Sequence, residues 1–420
     1  MALFPTMTAA DVDAAGGDPR SRRRLLLARI QNAARRAAGG NPRTLPLFAP
    51  APTISDNGSA IPGATPNAFP CLVGDRGIWH VVGGQMQASA GPKAATIGAT
   101  NLSQATYSRF SAVATSRYFA ARLYPTSAPY RFLVNDQYVS LAGTALATTT
   151  GTTSQFLLLD FGSRATRRIT VECQQNSGAC FGGYVEATGS MAPVDQRSRV
   201  SAVDLGDSYQ QGALSPADGS TTFNRADGVS VQMADHLGFD LLASGSGGTG
   251  WNHNNPAAYR FDERITLGDL SLGYIPPELI FLHASVNDRL RDPAVIQANA
   301  LAGLTAARAQ YPAAPIIVFG CPRIPIGPVS GSPSLVTSES AVQAAVTAFG
   351  DPLCVFVPML SDASGSWFTG TGKADATNGT GNTDWAIGPD GTHLTLEGAD
   401  YLARRYASAA LNALHAMLGG

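Results

Sequence analysis

The chain has 420 residues, of which 44% are hydrophobic and only 14% are charged, and its formal net charge is −1. Soluble domains average about 25% charged residues, so small polar residues, glycine and alanine must cover much of this surface. The nearly balanced charge excludes a dedicated nucleic-acid-binding protein, which needs a basic face. No run approaches the ~18 consecutive apolar residues of a membrane span, and the length suffices for two or three domains of roughly 100–200 residues each.

The first 50 residues form a basic arm, in which arginines outnumber aspartates. A helix is predicted over about Ser21–Ala38, because Leu26, Ile30, Ala33 and Ala37 recur at helical spacing among the arginines. We expect this helix to dock on the rest of the chain or to join copies of it in an oligomer or larger assembly, with membrane contact as the alternative. The apolar run is too short for a secretory signal, and an extracellular, cell-surface or virion-associated location is favoured over a cytoplasmic one.

Residues 51–195 predict an all-β domain, a jelly-roll-like sandwich. Clusters of glycine, serine and threonine separate short apolar runs there, at the regular spacing typical of sandwiches. The segment Tyr130–Ser140 predicts two strands joined at an Asn-Asp turn. Cys173 and Cys180 bracket another turn and could form a disulfide, although two separate thiols are the favoured interpretation.

Residues 196–420 predict a different fold, a flavodoxin-like doubly wound parallel sheet. Near-continuously apolar strands alternate with helices, as in a sheet covered by helices on both faces. The last helix is predicted over about Leu396–Met417, with Thr395 as its N-cap. Ligands bind beyond the carboxyl ends of the strands in such sheets, so the functional residues are expected there. The predicted strands lie at about 200–205, 239–243, 277–284, 315–320 and 353–357.

Three polar clusters follow the first three of these strands. Gly206–Ser208, with the sequence Gly-Asp-Ser, predicts a sharp turn that presents a serine at a helix N-terminus. The glycine-rich loop Ala243–Gly250 has no P-loop lysine, so it is a candidate source of backbone N–H groups rather than a nucleotide-binding loop. Ser285–Asp288 contains Asn287, whose amide can donate to an oxyanion. Each cluster alone is also compatible with an ordinary turn or helix cap.

A serine nucleophile needs a base, and six histidines are available. His393 stands just before the last helix, three residues after Asp390 in an Asp-Gly-Thr-His segment. An aspartate at that spacing in a turn can bind the ring Nδ1, which leaves Nε2 for the serine. His253 follows the glycine-rich loop and could border a pocket, whereas His283 lies within a predicted strand and is expected in the core.

Taken together and in this order, the blocks resemble those of the SGNH/GDSL hydrolase family over about residues 198–418. The resemblance implies an ester hydrolase with Ser208 as nucleophile, His393 as general base and Asp390 as the group that orients His393. It implies neither a metal nor an organic cofactor. A Gly-x-Ser-x-Gly motif is absent from the sequence, which argues against the α/β-hydrolase fold.

The same resemblance implies an oxyanion hole formed by the N–H groups of Ser208 and Gly247 and by the side chain of Asn287. Within the glycine-rich loop the resemblance implies Gly247, with Gly245 and Gly248 as alternatives. Ser285 stands where the family usually has glycine. A serine would be strained there if the backbone needed a positive φ, and the geometry of Asn287 depends on this position.

The substrate must be inferred from aromatic residues and from analogy. Some carbohydrate esterases of this family carry a β-sandwich ahead of the hydrolase domain, which favours removal of acetyl or similar small acyl groups from a polysaccharide. The alternatives are a general short-chain carboxylesterase, lipase or thioesterase, or a virion or cell-surface glycan-binding protein that carries the esterase domain. The residues expected to contact substrate are Tyr209, Trp251, His253, Trp367 and Trp385.

Overall fold

The computed structural model describes residues 19–419, apart from several internal segments. It divides into two compact units, which we call the α/β unit (Met1–Ala37, Thr100–Thr106 and Arg197–Gly420) and the β-rich unit (Ala38–Ala99 and Tyr107–Gln196). The predicted arm, β domain and α/β domain follow one another along the chain, whereas the α/β unit combines segments from both sides of the β-rich unit with the short segment Thr100–Thr106. The segments left undescribed within 19–419 are 57–66, 70–78, 84–85, 88–94, 98–103, 106, 125–128, 147–154, 175–177, 187–190, 193–198, 217–224, 254–257, 272–275 and 327–332.

The helices and strands are numbered in chain order over the described residues. The helices are α1 (Pro19–Gly40), α2 (Val229–Leu237), α3 (Phe261–Thr266), α4 (Pro293–Gln310), α5 (Leu335–Phe349), α6 (Thr383–Ala386) and α7 (Leu396–Gly419). The strands are β1 (Thr53–Asp56), β2 (Asn67–Phe69), β3 (His80–Val82), β4 (Met86–Gln87), β5 (Ala95–Ile97), β6 (Gln104–Ala105), β7 (Tyr107–Ala114), β8 (Tyr118–Leu123), β9 (Arg131–Val134), β10 (Gln137–Tyr138), β11 (Gln155–Asp160), β12 (Arg167–Gln174), β13 (Gly178–Glu186), β14 (Met191–Ala192), β15 (Ser201–Gly206), β16 (Asp240–Gly245), β17 (Leu279–His283), β18 (Ile316–Phe319) and β19 (Cys354–Val357).

The β-rich unit contains two antiparallel sheets. One has the strand order β1-β11-β8-β13-β5-β4 with β2 also on β13, and the other has the order β10-β9-β12-β7-β14 with β3 also on β7. The Asn-Asp turn is confirmed between β9 and β10, where Asn135 and Asp136 both have positive φ. Cys173 lies buried in β12, but the side chain of Cys180 is outside the described residues, so the favoured interpretation of two separate thiols stays a prediction.

The α/β unit is built on a parallel sheet with the order β19-β18-β17-β15-β16, and β6 adds an antiparallel strand at the edge beside β16. Numbered by appearance, the parallel strands run 5-4-3-1-2, which is the flavodoxin-like order and confirms the predicted sheet. Every residue of β15 to β18 is buried, as expected for strands covered on both faces. The chain leaves β15 and β17 in opposite directions around the sheet, so a crevice opens between their carboxyl ends.

Helix α1 belongs to the α/β unit up to Ala37. Its buried face includes Leu25 and the expected Ile30, Ala33 and Ala37, whereas the expected Leu26 is only partly buried. Arg29 binds the carboxylate of Glu278 just before β17, so the arm docks on its own chain. None of the helices among the described residues is long and apolar enough to cross a membrane.

Helix α7 begins as the sequence predicts. Thr395 Oγ1 accepts a hydrogen bond from the backbone N–H of Gly398 at 3.0 Å, which confirms the N-cap. The predicted core position of His283 is also correct, since its ring is buried beside Phe319 and Tyr406 and lies 2.5 Å from a carboxylate oxygen of Asp204. These contacts pack the ends of β15 and β17 against each other next to the crevice.

Candidate active site

Ser208 lies in the turn that follows β15. Gly206 is required there, because a Cβ at that position would overlap the carboxamide of Gln210. The N–H of Gln211 donates to the carbonyl of Asp207 at 2.9 Å, which closes one helical turn. The expected helix is absent from the described residues at this point. A single hydrogen-bonded turn is enough to present Ser208 at the sheet edge.

Ser208, His393 and Asp390 lie in line. Ser208 Oγ is 2.9 Å from His393 Nε2, and His393 Nδ1 is 2.6 Å from Asp390 Oδ2. The other oxygen of Asp390 accepts the N–H groups of Thr392 and His393. Partial burial alone would raise the pKa of Asp390, but the hydrogen bonds from the His393 ring and from these N–H groups lower it to about 2. The carboxylate is therefore charged at neutral pH and holds the proton of the imidazole on Nδ1.

Tyr209 fixes the turn that carries His393. It is 3% exposed, and its hydroxyl donates to the carbonyl of Thr392. Burial raises the pKa of the Tyr209 hydroxyl well above its ordinary value, so it remains a donor. Gly391 has a φ of +70° in this turn and packs against the side chain of Ile326. The expected substrate contact at Tyr209 is therefore wrong, because the ring is covered and holds the histidine turn.

Gly247 lies beside Ser208, as expected, but its N–H is already bonded. It donates to Gln211 Oε1 at 2.8 Å, and a Cβ placed at Gly247 would lie 3.6 Å from the Cβ of Ser208. The sequence gives no signal for this bond, because Gln211 reaches Gly247 from a different loop.

Asn287 also lies at the site, without backbone strain. Ser285 has φ −109° and ψ 138°, an extended conformation that any residue adopts. The side chain of Asn287 donates to the carbonyl of Thr249 at 3.0 Å, and its Nδ2 lies 3.5 Å from Asp207 Oδ2. The Ser285 hydroxyl is closer to the same carboxylate oxygen, at 2.6 Å. A serine in place of the family's glycine thus adds a polar contact instead of strain.

Asp288 ties the glycine-rich loop to the end of β17. Its carboxylate accepts the N–H groups of Trp251 at 2.8 Å and Asn252 at 3.0 Å. Burial raises its pKa to about 7 despite these bonds. Trp251 is fully buried and donates from Nε1 to the carbonyl of His283. The expected substrate contact at Trp251 is therefore wrong, since the ring anchors the loop from inside.

The other expected substrate contacts differ in exposure. Trp367 is 3% exposed and donates to Asp362, so it cannot stack on a ligand. His253 is half-buried, with Nδ1 2.6 Å from the carbonyl of Gly248. Trp385 is 41% exposed, and its ring meets Tyr401 edge-on. Of the tryptophans proposed to bind substrate, Trp385 alone presents an accessible ring among the described residues.

Glu339 organises two further loops at this edge of the sheet, and nothing in the sequence singled it out. This buried side chain of α5 accepts the N–H groups of Cys321, Leu360 and Ser361 at 2.8–3.0 Å. One loop follows β18 and the other follows β19. In the described part of the chain, no cluster of three or more His, Cys, Asp or Glu side chains is arranged to hold a metal ion.

No family model and no curated protein matches the sequence. Among solved structures, the chain is similar to a family two carbohydrate esterase from Cellvibrio japonicus, with a TM-score of 0.58 and 13% identity, covering 84% of this chain and 99% of that one. It is similar to a structure described as a GDSL-like lipase from Bacteroides ovatus, with a TM-score of 0.54 and 13% identity, covering 83% and 98%. It is also similar to the acetyl xylan esterase Est2A from Butyrivibrio proteoclasticus, with a TM-score of 0.53 and 13% identity, covering 81% and 97%.

These structures share the fold of the chain over most of their length. The predicted SGNH/GDSL hydrolase fold is thus confirmed by carbohydrate esterase and GDSL-like lipase neighbours. At 13% identity the likeness concerns the fold and not the chemistry of the site.

Proposed function

We propose that the protein is a serine ester hydrolase that removes small acyl groups, acetyl above all, from a polysaccharide. The observation that carries the proposal is the line of Ser208, His393 and Asp390, joined at 2.9 and 2.6 Å at the carboxyl edge of the sheet. A serine within hydrogen-bond reach of a histidine that a carboxylate orients is the arrangement that activates a hydroxyl nucleophile. The carbohydrate esterase fold supports the same reaction class.

In the proposed reaction, Ser208 Oγ attacks the acyl carbonyl carbon while its proton passes to His393 Nε2. The negatively charged Asp390 stabilises the imidazolium that forms. The carbonyl bond reforms, the bond to the sugar oxygen breaks, and His393 returns the proton to the leaving alcohol. Water, deprotonated by His393, then attacks the acyl-serine and releases the carboxylic acid together with the free hydroxyl of Ser208.

The developing oxyanion needs donors in a water-poor site. We assign the backbone N–H of Ser208, the side chain of Asn287 and the N–H of Gly247 to this task. Gly247 joins once the substrate oxygen has replaced Gln211 Oε1. Each such donor contributes roughly 10²–10³ in turnover when it is aimed at the oxyanion.

A glycan substrate is supported by the names of the structural neighbours and by the exposed ring of Trp385. We further propose that the two sheets of the β-rich unit form a jelly-roll-like sandwich. Phe110 of one sheet stacks on Phe181 of the other with ring centroids 4.8 Å apart, as expected for two sheets that share a core. The GDSL-like lipase neighbour favours a second candidate, a short-chain esterase without glycan preference.

The test is acetate release from a panel of acetylated polysaccharides, with p-nitrophenyl esters of increasing chain length measured in parallel. Ser208→Ala is expected to lower kcat by about 10³-fold or more, whereas Ser340→Ala on the exposed face of α5 leaves it unchanged. Full esterase activity in Ser208→Ala overturns the proposal. Equal rates on C2 and C8 esters, with no acetate from any glycan, favour the short-chain esterase.

A further inference from the structure

The Ser285 hydroxyl joins three loops of the site. It is 1% exposed, and its oxygen lies 2.6 Å from Asp207 Oδ2, beside the nucleophile, and 2.8 Å from the carbonyl of Thr249 in the glycine-rich loop. The same oxygen accepts the backbone N–H of Asn287 at 3.1 Å. The resemblance to the hydrolase family gives this position no role, since the family usually has glycine there.

The side chain of Asn287 competes with Ser285 for one carboxylate oxygen. Its Nδ2 carries two hydrogens, and one of them goes to the carbonyl of Thr249 at 3.0 Å. The other faces Asp207 Oδ2, which lies 3.5 Å from Nδ2, at the limit of a hydrogen bond. Ser285 donates to that oxygen from 2.6 Å, and the shorter of two hydrogen bonds to one oxygen is the stronger.

We infer that Ser285 is a positioning residue for the oxyanion hole. By occupying Asp207 Oδ2, its hydroxyl leaves the second N–H of Asn287 available to the developing oxyanion. By accepting the backbone N–H of Asn287, it also fixes the backbone from which that side chain projects. The inference rests on the proposed esterase function and deepens it.

Removal of this hydroxyl leaves Asp207 Oδ2 without its closest donor. The amide of Asn287 then closes the 3.5 Å gap and turns away from the substrate oxygen. The loss falls on the transition state, where the oxyanion exists, rather than on substrate binding. Ser285→Ala is therefore expected to lower kcat by about 10–100-fold, with KM within about twofold of the wild-type value.

Ser338→Ala is the matched control. Ser338 is also 1% exposed, and its hydroxyl donates to the carbonyl of Asp288 at 2.9 Å, so the substitution removes a buried hydroxyl bonded to the same segment. It touches neither Asp207 nor Asn287, and kcat is expected to stay within about twofold of wild type. Thermal unfolding of both variants shows whether the two losses of stability are comparable.

Asp207→Asn tests the competition itself. Without a full negative charge at this position the pull on Asn287 weakens, so Ser285→Ala is expected to lower kcat by less than about threefold in the Asp207→Asn background. If the hydroxyl had a purely structural role, Ser285→Ala would lower kcat by the same factor in the wild-type and Asp207→Asn backgrounds. Ser285→Gly is measured in parallel, because glycine also adopts this extended backbone and lacks the hydroxyl if the alanine variant fails to fold.

The outcomes separate the two proposals. The positioning role is supported if the wild type is active, Ser285→Ala or Ser285→Gly loses much of its kcat, and Ser338→Ala keeps a kcat near the wild-type value. It also requires that Ser285→Ala lowers kcat less in the Asp207→Asn background than in the wild type. An active wild type whose Ser285 variants keep kcat within about twofold, or raise KM alone, overturns that role and leaves the esterase intact. A wild type without esterase activity overturns the proposed function, and the positioning role falls with it.

Discussion

The two ends of the parallel sheet use their carboxylates differently. At the amino ends of the strands, acidic side chains are neutralised by arginines, and at least one partner of each pair is partly exposed. Such pairs stabilise the fold modestly and leave no charge to be used elsewhere. The pairs are Glu278 with Arg29, Asp240 with Arg199 and Asp351 with Arg308.

At the carboxyl ends, Asp207, Asp288, Glu339 and Asp390 accept backbone N–H groups from the loops that they organise. These bonds shape the loops without bringing a guanidinium group to each carboxylate. Burial raises the pKa of Asp207 and of Asp288, which means that the folded state holds these charges at a cost in stability. These two groups of carboxylates thus have different tasks, since those at the amino ends form ion pairs with arginines and those at the carboxyl ends fix the positions of loops.

The largest effect should come from exchanging one carboxylate at each end. Asp390→Asn removes the charge that stabilises the imidazolium, and its amide favours the wrong tautomer of His393. We expect kcat to fall by about 10³-fold at neutral pH. Asp351→Asn at the amino end should leave kcat within about twofold. Equal kcat values in the two variants, measured on an acetyl ester, would contradict the contrast between the ends.

The next largest effect should come from adding a carboxylate at the carboxyl ends of the strands. Gln211→Glu keeps an oxygen on the N–H of Gly247 but places negative charge where the oxyanion forms. We expect kcat to fall by about 10²-fold. Gln211→Ala exposes the N–H of Gly247 and should raise the affinity for an alkylboronic acid, a mimic of the tetrahedral state. If both variants bind the boronic acid as the wild type does, Gly247 is not an oxyanion donor.

The pH dependence of stability should report Asp288. An ordinary aspartate has a pKa near 4, whereas that of Asp288 is about 7 in the folded chain, so ionisation favours unfolding between these values. The free energy of unfolding should therefore lose about 2–4 kcal/mol from this group as the pH rises from 4 to 7. Asp288→Asn loses one acceptor oxygen and should be less stable than the wild type at low pH. Its free energy of unfolding, measured by denaturant titration, should depend less on pH. Parallel profiles for the two proteins would refute this assignment.

The smallest effect should come from the amino end. Arg29→Ala removes the ion pair with Glu278 and a 2.6 Å hydrogen bond to the carbonyl of Arg199. We expect a loss of about 1–2 kcal/mol that is confined to the docking of α1. Hydrogen exchange over residues 19–40 should accelerate while kcat stays within about twofold of wild type. A large loss of kcat would mean that the two ends of the sheet are coupled.

Most of the architecture and the central line of the site could be predicted from the sequence. The apolar strands fix a parallel sheet, and a parallel sheet places the ends of β15 and β17 beside each other. Ser208 and His393 were identifiable because each stands in a short block whose residues contact one another locally. Asp390 reaches His393 across three residues, a spacing that the chain itself enforces.

The remainder depends on contacts between distant parts of the chain. Trp251 and Trp367 look like ligand-stacking residues in sequence, but tertiary packing covers both rings. Gln211 reaches Gly247 across 36 residues, and Ser285 reaches Asp207 across 78, so neither bond leaves a local pattern. The helix expected after Ser208 was wrong for a related reason, since one turn held by neighbouring loops replaced it.

The short strand β6 has a consequence for how the chain is made. Ala105 pairs with Ser244, and α1 binds Glu278, so both elements are synthesised before the β-rich unit is complete and find their partners only after it. The α/β unit therefore cannot finish its sheet while residues beyond 245 are still inside the ribosome, whereas the β-rich unit can fold first. A fragment beginning at residue 197 would expose the edge of β16, and an open strand edge is a site for pairing with other chains. Expression of residues 197–420 alone should yield aggregates unless both early segments are supplied.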